Sequence, residues 1–182
     1  MKALMKIGQR VAAYLAVAAV VVLAAAGGLY LAGGRWNTTA SVPEGLYWTI
    51  KAPIATGAYV LVCPTDTRID QMARERTYIS TGPCPGNYER MIKRIGGMSG
   101  DVIAVRAEGV YVNNQLIADS APMPHDPAGR KLPMIIGASF ALGTHQLLLM
   151  GDNPLSFDSR YYGAVGEDAV ISVLKPIWTW KE

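Results

Sequence analysis

The sequence predicts a mostly β domain carried behind a single N-terminal membrane helix. Three observations lead there. Residues Val11 to Gly34 contain no charged side chain and are mainly Ala, Val and Leu. Beyond them, short runs rich in Val, Ile and Tyr recur, broken by Gly, Pro and Asn, as strands and turns require. Only one later stretch, Thr67–Tyr78, has helical character, so helices contribute little to the exported core.

The apolar run exceeds the ~20 residues needed to cross a bilayer. Lys2, Lys6 and Arg10 precede it, and no acidic residue occurs before Glu44. That asymmetry keeps the N-terminus in the cytoplasm and exports the chain beyond Arg35. Two readings stay open: a retained anchor, favoured by the length of the run, and a cleaved signal with small residues near Ala24–Ala26. Gly33-Gly34 reads as a hinge, dividing residues 1–34 from residues 35–182.

Strands are expected at Gly45–Thr49, Tyr59–Cys63, Met91–Ile95, Val102–Ala107, Val110–Val112, Gln115–Ile117, Gln146–Met150 and Ala169–Leu174. Asn113-Asn114 suits a tight turn, making Val110–Ile117 a hairpin. Ala121–Pro133, with Pro122, Pro124, Pro127 and Gly129, reads as a loop.

The net charge of +3 over 182 residues overstates the basicity of the exported part. With Lys2, Lys6, Arg10 and Arg35 set aside, 13 basic residues face 14 acidic ones. No basic face points to nucleic acid; the N-terminal charges suit topology and anionic lipid. Cys63 and Cys84 both lie in the exported part, where an oxidising compartment favours a disulfide. Neither has an evident His partner for nucleophilic work. His125 and His145 have no metal-ligand spacing, and nothing calls for a cofactor.

Three segments carry groups suited to chemistry. In Asn37–Pro43 (NTTASVP), Ser41 is a hydroxyl a few residues past the membrane run. A serine attacks only when a base removes its proton, and no His-Asp pair presents itself. In Met91–Asp101 (MIKRIGGMSGD), Lys93 shares a strand face with Met91 and Ile95. If that face is core, desolvation lowers the amine pKa towards that of a usable base. If it is solvent, Lys93 is an ordinary charge. Arg94 points the other way and reads as the solvated one. In Gly151–Gly163 (GDNPLSFDSRYYG), a polar loop comes after an apolar strand, and its density of hydrogen-bonding groups demands partners.

Taken in order, the three segments resemble the signature boxes of the type I signal peptidase superfamily, serine proteases with a lysine base and a β domain shared with LexA-like regulators. The resemblance implies Ser41 as nucleophile and Lys93 as general base. It gives Thr39, with Thr38 as competitor, a supporting role at the oxyanion. Ser156 is implied to hydrogen-bond the lysine amine, and Asp158 and Arg160 to hold the site in shape. The run NTTASVPEGLYW, with its early Pro43, is similar to the TraF-type branch of conjugative plasmid transfer. That branch implies a pilin precursor as substrate, cut and in some members closed into a ring. It also implies partners in the transfer (type IV secretion) machinery and a periplasmic peptidase domain. A general signal peptidase and a non-catalytic transfer-envelope protein are the competing expectations.

Overall fold

A computed structural model describes residues 2–65 and 67–180, with side chains from Ile7 onward. Two compact units result, residues 1–35 and 36–182. In the first, helix α1 (Lys2–Leu31) runs through the apolar segment. Its stretch Ile7–Leu31, 25 residues, is long and apolar enough to cross a membrane. The side chains described along it are exposed.

In chain order, strands β1 (Gly34–Asn37), β2 (Glu44–Ile50) and β3 (Tyr59–Val62) lead to helix α2 (Arg68–Glu75). Strands β4 (Thr81–Cys84), β5 (Met91–Gly97), β6 (Val102–Arg106), β7 (Gly109–Val112), β8 (Gln115–Leu116), β9 (Ser139–Ala141) and β10 (Gln146–Met150) come next. Helix α3 (Ser159–Tyr162), β11 (Val165–Gly166) and β12 (Val170–Trp180) complete the domain. Among the described residues eleven of these strands form a seven-stranded sheet, β1-β2-β12-β3-β5-β10-β11, and a four-stranded one, β8-β7-β6-β9, while β4 makes isolated bridges to Tyr88.

Strand β10 explains the packing. Leu147 and Leu149 join Val60, Val62, Ile95 and Val173 in one core cluster. Leu148 and Met150, on its other face, join Ile103, Val105, Val110 and Leu142 in a second. A strand buried on both faces needs a continuous apolar run rather than alternation, which is how Leu147–Met150 reads. A third cluster, with Val42, Tyr47, Leu61, Ile92 and Leu174, fills the space against the β1–β2 connection.

The mostly β class holds, and the boundaries differ where local chemistry is overruled. Strand β12 runs past Pro176, where the expected strand stops at Leu174. Pro176 lies beyond the β3 pairing and next to a register shift against β2, positions where a missing N–H costs no ladder bond. Gly45, at φ +134°, sits where a side-chain carbon would meet the Trp178 carbonyl oxygen at 2.2 Å, so only glycine lets β2 and β12 approach. Helix α2 ends at Glu75, short of Tyr78: Thr77 is left-handed at φ 62°, which an α-helix does not tolerate. Its start at Thr67 is a capping box with Asp70, which satisfies otherwise orphaned amides. Gly34 opens β1, so the hinge expected at Gly33-Gly34 narrows to a turn at Ala32-Gly33. The Asn113-Asn114 turn takes positive φ at both residues, 49° and 65°, as a tight hairpin turn requires.

Cys63 and Cys84 are bonded across a separation of 21 residues, joining the end of β3 to β4. On the chain-entropy account such a crosslink adds roughly 3 kcal/mol. Thiol labelling of the denatured, unreduced protein is expected to find no free cysteine, and Cys63→Ser with Cys84→Ser to lower stability by about that amount in urea melts. Two labelled thiols would contradict the bond.

Candidate active site

Ser41 sits in the turn between β1 and β2, and the turn is tied down from both sides. Val42, at its far edge, is buried in the third core cluster. Within the turn, the Asn37 side-chain amide donates to the carbonyls of Thr39 (2.9 Å), Val42 (3.1 Å) and Pro43 (3.1 Å). Tyr47 Oη donates to the Pro43 carbonyl at 2.6 Å. From across the site, the backbone amides of Asp152 and Asn153 donate to the Ser41 carbonyl, at 2.7 and 3.3 Å.

Lys93 lies in the middle of β5, opposite Val60, with only 2% of its surface exposed. Met91 and Ile95 on the same face pack in the first core cluster, so the face is core. The amine is 3.2 Å from Ser41 Oγ, 2.8 Å from Ser156 Oγ and 2.9 Å from the Phe157 carbonyl oxygen. Burial pulls its pKa from 10.5 down to about 8; Asp158 opposes that shift and Arg160 reinforces it. An ammonium can donate to all three oxygens. A neutral amine keeps two N–H bonds and one lone pair. The Phe157 carbonyl can only accept, so an N–H must go there; a second N–H to Ser156 leaves the lone pair for the Ser41 hydroxyl.

The loop after β10 supplies those acceptors and is braced internally. Asp158 and Arg160, neither exposed, form a two-point ion pair at 2.7 and 2.8 Å. Asp158 Oδ2 also accepts from the Gly151 amide at 2.8 Å, and its Oδ1 from the Arg160 amide at 3.1 Å, capping α3. The Arg160 guanidinium donates to the carbonyls of Pro154 and Asp119, at 3.0 and 3.2 Å. Gly151 allows the close fit: a Cβ there would lie 2.1 Å from Ser156 Oγ and 2.8 Å from the Ser41 carbonyl oxygen.

The three segments thus converge. Ser41, Lys93 and Ser156 come together, and Asp158 and Arg160 pair beside them. Thr39 is in the same turn as Ser41, with its hydroxyl donating to Asn37 Oδ1 at 2.8 Å. His125 and His145 lie elsewhere, the latter exposed and 3.0 Å from Glu167. One reading is corrected. Arg94 is not a free solvated charge: it grips Asp152 through two nitrogens, at 2.7 and 2.8 Å, and also donates to Tyr59 Oη. Tyr59 in turn donates to Asp152 at 2.7 Å, and burial, then Asp152, pushes its phenol pKa up.

Asn37, Tyr59 and Asp152 join the site without having been assigned a role in it from the sequence. Asp152 has a signal, an acid one residue beyond the apolar strand at the head of the polar loop; Asn37 has none beyond its place before Thr38-Thr39. Beside Ser41 lies an open cavity of about 230 Å³ lined by Ala40, Val42, Pro43, Glu44, Asp152 and Trp180 among others.

The family described as signal peptidase, peptidase S26, matches residues 4–180. A plasmid transfer protein TraF of Escherichia coli is 44% identical over 173 residues, 94% of this chain and 98% of that one. A second from the same species is 44% identical over 176 residues, 96% and 99% of the two chains. A conjugal transfer protein TraF of Agrobacterium tumefaciens (strain 15955) is 30% identical over 175 residues, 94% and 97%. With a match that spans nearly its whole length, the chain belongs to the signal peptidase family S26 and is a serine peptidase.

Proposed function

We propose that this chain is a membrane-anchored endopeptidase of a conjugative transfer system. It trims the exported pilin precursor, with Ser41 as nucleophile and Lys93 as general base. One observation carries the reading: a buried lysine amine 3.2 Å from the serine hydroxyl, with fixed acceptors for its other protons. The names of the relatives, plasmid and conjugal transfer proteins, support the setting. Helix α1 and the basic residues at its N-terminal end support an anchor with the peptidase domain in the periplasm.

In the reaction, neutral Lys93 takes the Ser41 proton as Oγ bonds to the scissile carbonyl carbon. The carbonyl oxygen becomes an oxyanion. The Ser41 amide, unengaged among the described residues, is one donor for it. The Thr39 hydroxyl is the other once it turns from Asn37, and two such donors aimed at the developing charge lower the barrier. Lys93 then passes its proton to the leaving amine, the C–N bond breaks, and an acyl-enzyme ester remains on Ser41. Water, deprotonated by Lys93, releases the acid. If the pilin's own α-amine attacks instead, the same ester yields a peptide bond and a closed ring.

The experiment is mass spectrometry of pilin precursor incubated with the full chain in lipid vesicles across a pH series. The expected product is a precursor shortened by a fixed segment, and ring closure shows as a further loss of one water. Only neutral Lys93 is a base, so kcat/KM should rise with pH, reach half its plateau near pH 8, and stay high above it. Stability has the same sign: between about pH 8 and about pH 10.5 the unfolded chain holds the lysine proton more tightly than the folded one, so folding strengthens as pH rises through that window. Unchanged precursor at every pH would overturn the substrate, and a rate independent of pH between 6 and 9 would overturn the base.

A further inference from the structure

We infer that Asn37 is a positioning residue for the nucleophile, setting the shape of the turn that presents Ser41. The inference rests on the reading of Ser41 as nucleophile. It comes from how many backbone groups of the turn one buried side chain holds. Asn37 is 4% exposed. Its Nδ2 donates to the carbonyls of Thr39, Val42 and Pro43. Its Oδ1 accepts from the Thr39 amide at 3.1 Å and the Thr39 hydroxyl at 2.8 Å.

Apart from the Thr39 hydroxyl, these are backbone groups that no strand ladder can satisfy, because the chain turns there between β1 and β2. Left to itself, a turn of this length samples many conformations, each with a different direction for the Ser41 hydroxyl and amide. The Asn37 amide selects one. It gathers three carbonyls that would otherwise seek water, and it holds Thr39 two residues before Ser41. The Ser41 carbonyl is pinned separately by the Asp152 and Asn153 amides. With the main chain held from inside and from across the site, the serine keeps little freedom beyond its own side-chain rotation.

The role needs donors and acceptor on one planar group. Aspartate keeps the acceptor for Thr39 but turns a carboxylate on three carbonyls, and alanine provides neither. Nothing in the chemistry of Asn37 suggests that it touches the reacting atoms. Its effect should fall on the geometry of attack, where a displacement of about 1 Å costs about 100-fold in rate.

The test compares wild type, Ser41→Ala, Asn37→Ala and Asn37→Asp as full chains in lipid vesicles, with kcat and KM for precursor cleavage. Readings are taken well below the melting midpoint of each variant. Asn37→Ala and Asn37→Asp are expected to lose about 100-fold in kcat, with KM within about twofold of wild type. In Asn37→Ala the pH midpoint should stay at its wild-type value, because Lys93 and its charged neighbours Asp158 and Arg160 are untouched; in Asn37→Asp the added carboxylate should move it up. A purely structural role predicts activity loss that tracks the unfolded fraction, with wild-type kcat per folded molecule, and that result overturns the inference. Should Asn37→Ala fail to fold, the isosteric Asn37→Asp carries the test alone. Activity retained by Ser41→Ala would instead overturn the nucleophile, a failure separate from that of Asn37.

Discussion

Lys93→Arg is expected to stop precursor processing as completely as Ser41→Ala, even though it keeps the positive charge. A guanidinium stays protonated throughout the accessible pH range and has no lone pair to give. If Lys93 served only as a charge, arginine would retain part of the activity. As a base, its loss costs at least about 1,000-fold in kcat/KM. Lys93→Met, similar in length and apolar, should be as inactive. It leaves the Phe157 carbonyl and Ser156 hydroxyl without the amine, so some stability is also lost. The double variant Ser41→Ala with Lys93→Met should be no slower than either single one, because nucleophile and base act as a unit. Ser156→Ala should be milder, roughly tenfold, since the amine keeps its bond to the Phe157 carbonyl. Cleavage by Lys93→Arg at more than a few per cent of the wild-type rate would remove the lysine from the mechanism.

These residues are readable from sequence because each carries a local contradiction. A lysine between apolar strand neighbours, and a dense polar loop straight after Leu147–Met150, both demand partners. That demand is a property of the segment, visible before any fold is known. Asn37 and Arg94 are not readable, for the opposite reason. The Asn37 partners are backbone carbonyls, which every sequence has. The Arg94 partner is Asp152, 58 residues further on, and no local pattern encodes a pairing at that range. The unexpected strands obey the same logic. Strand β4 contains Gly82-Pro83, and β11 is two residues long, so their extended shape comes from what they pair with, not from their own propensity. Strand β10 is legible because two-sided burial writes itself as an uninterrupted apolar run.

Arg160→Ala should produce the largest loss of stability of any single change around the site, roughly 3–5 kcal/mol. Its guanidinium and the Asp158 carboxylate are both fully buried and meet at two points. Removing one partner strands the other charge inside the protein, and that desolvation cost dominates. Asp158 would retain the Gly151 and Arg160 backbone amides, which limits the damage but does not neutralise the carboxylate. Arg160→Lys is no rescue, because one ammonium cannot reach both carboxylate oxygens and the carbonyls of Pro154 and Asp119. The pair also biases Lys93, and here the two partners have opposite signs. Arg160 holds the amine pKa down and Asp158 holds it up. In whatever fraction of Arg160→Ala stays folded, the pH midpoint of cleavage should therefore move above its wild-type value. In Asp158→Asn it should move below. Urea melts with pH–rate profiles on the same preparations test both halves. A stability change under about 1 kcal/mol would contradict the buried pair. Midpoints that shift in the same direction in both variants would show that Lys93 titrates independently of it.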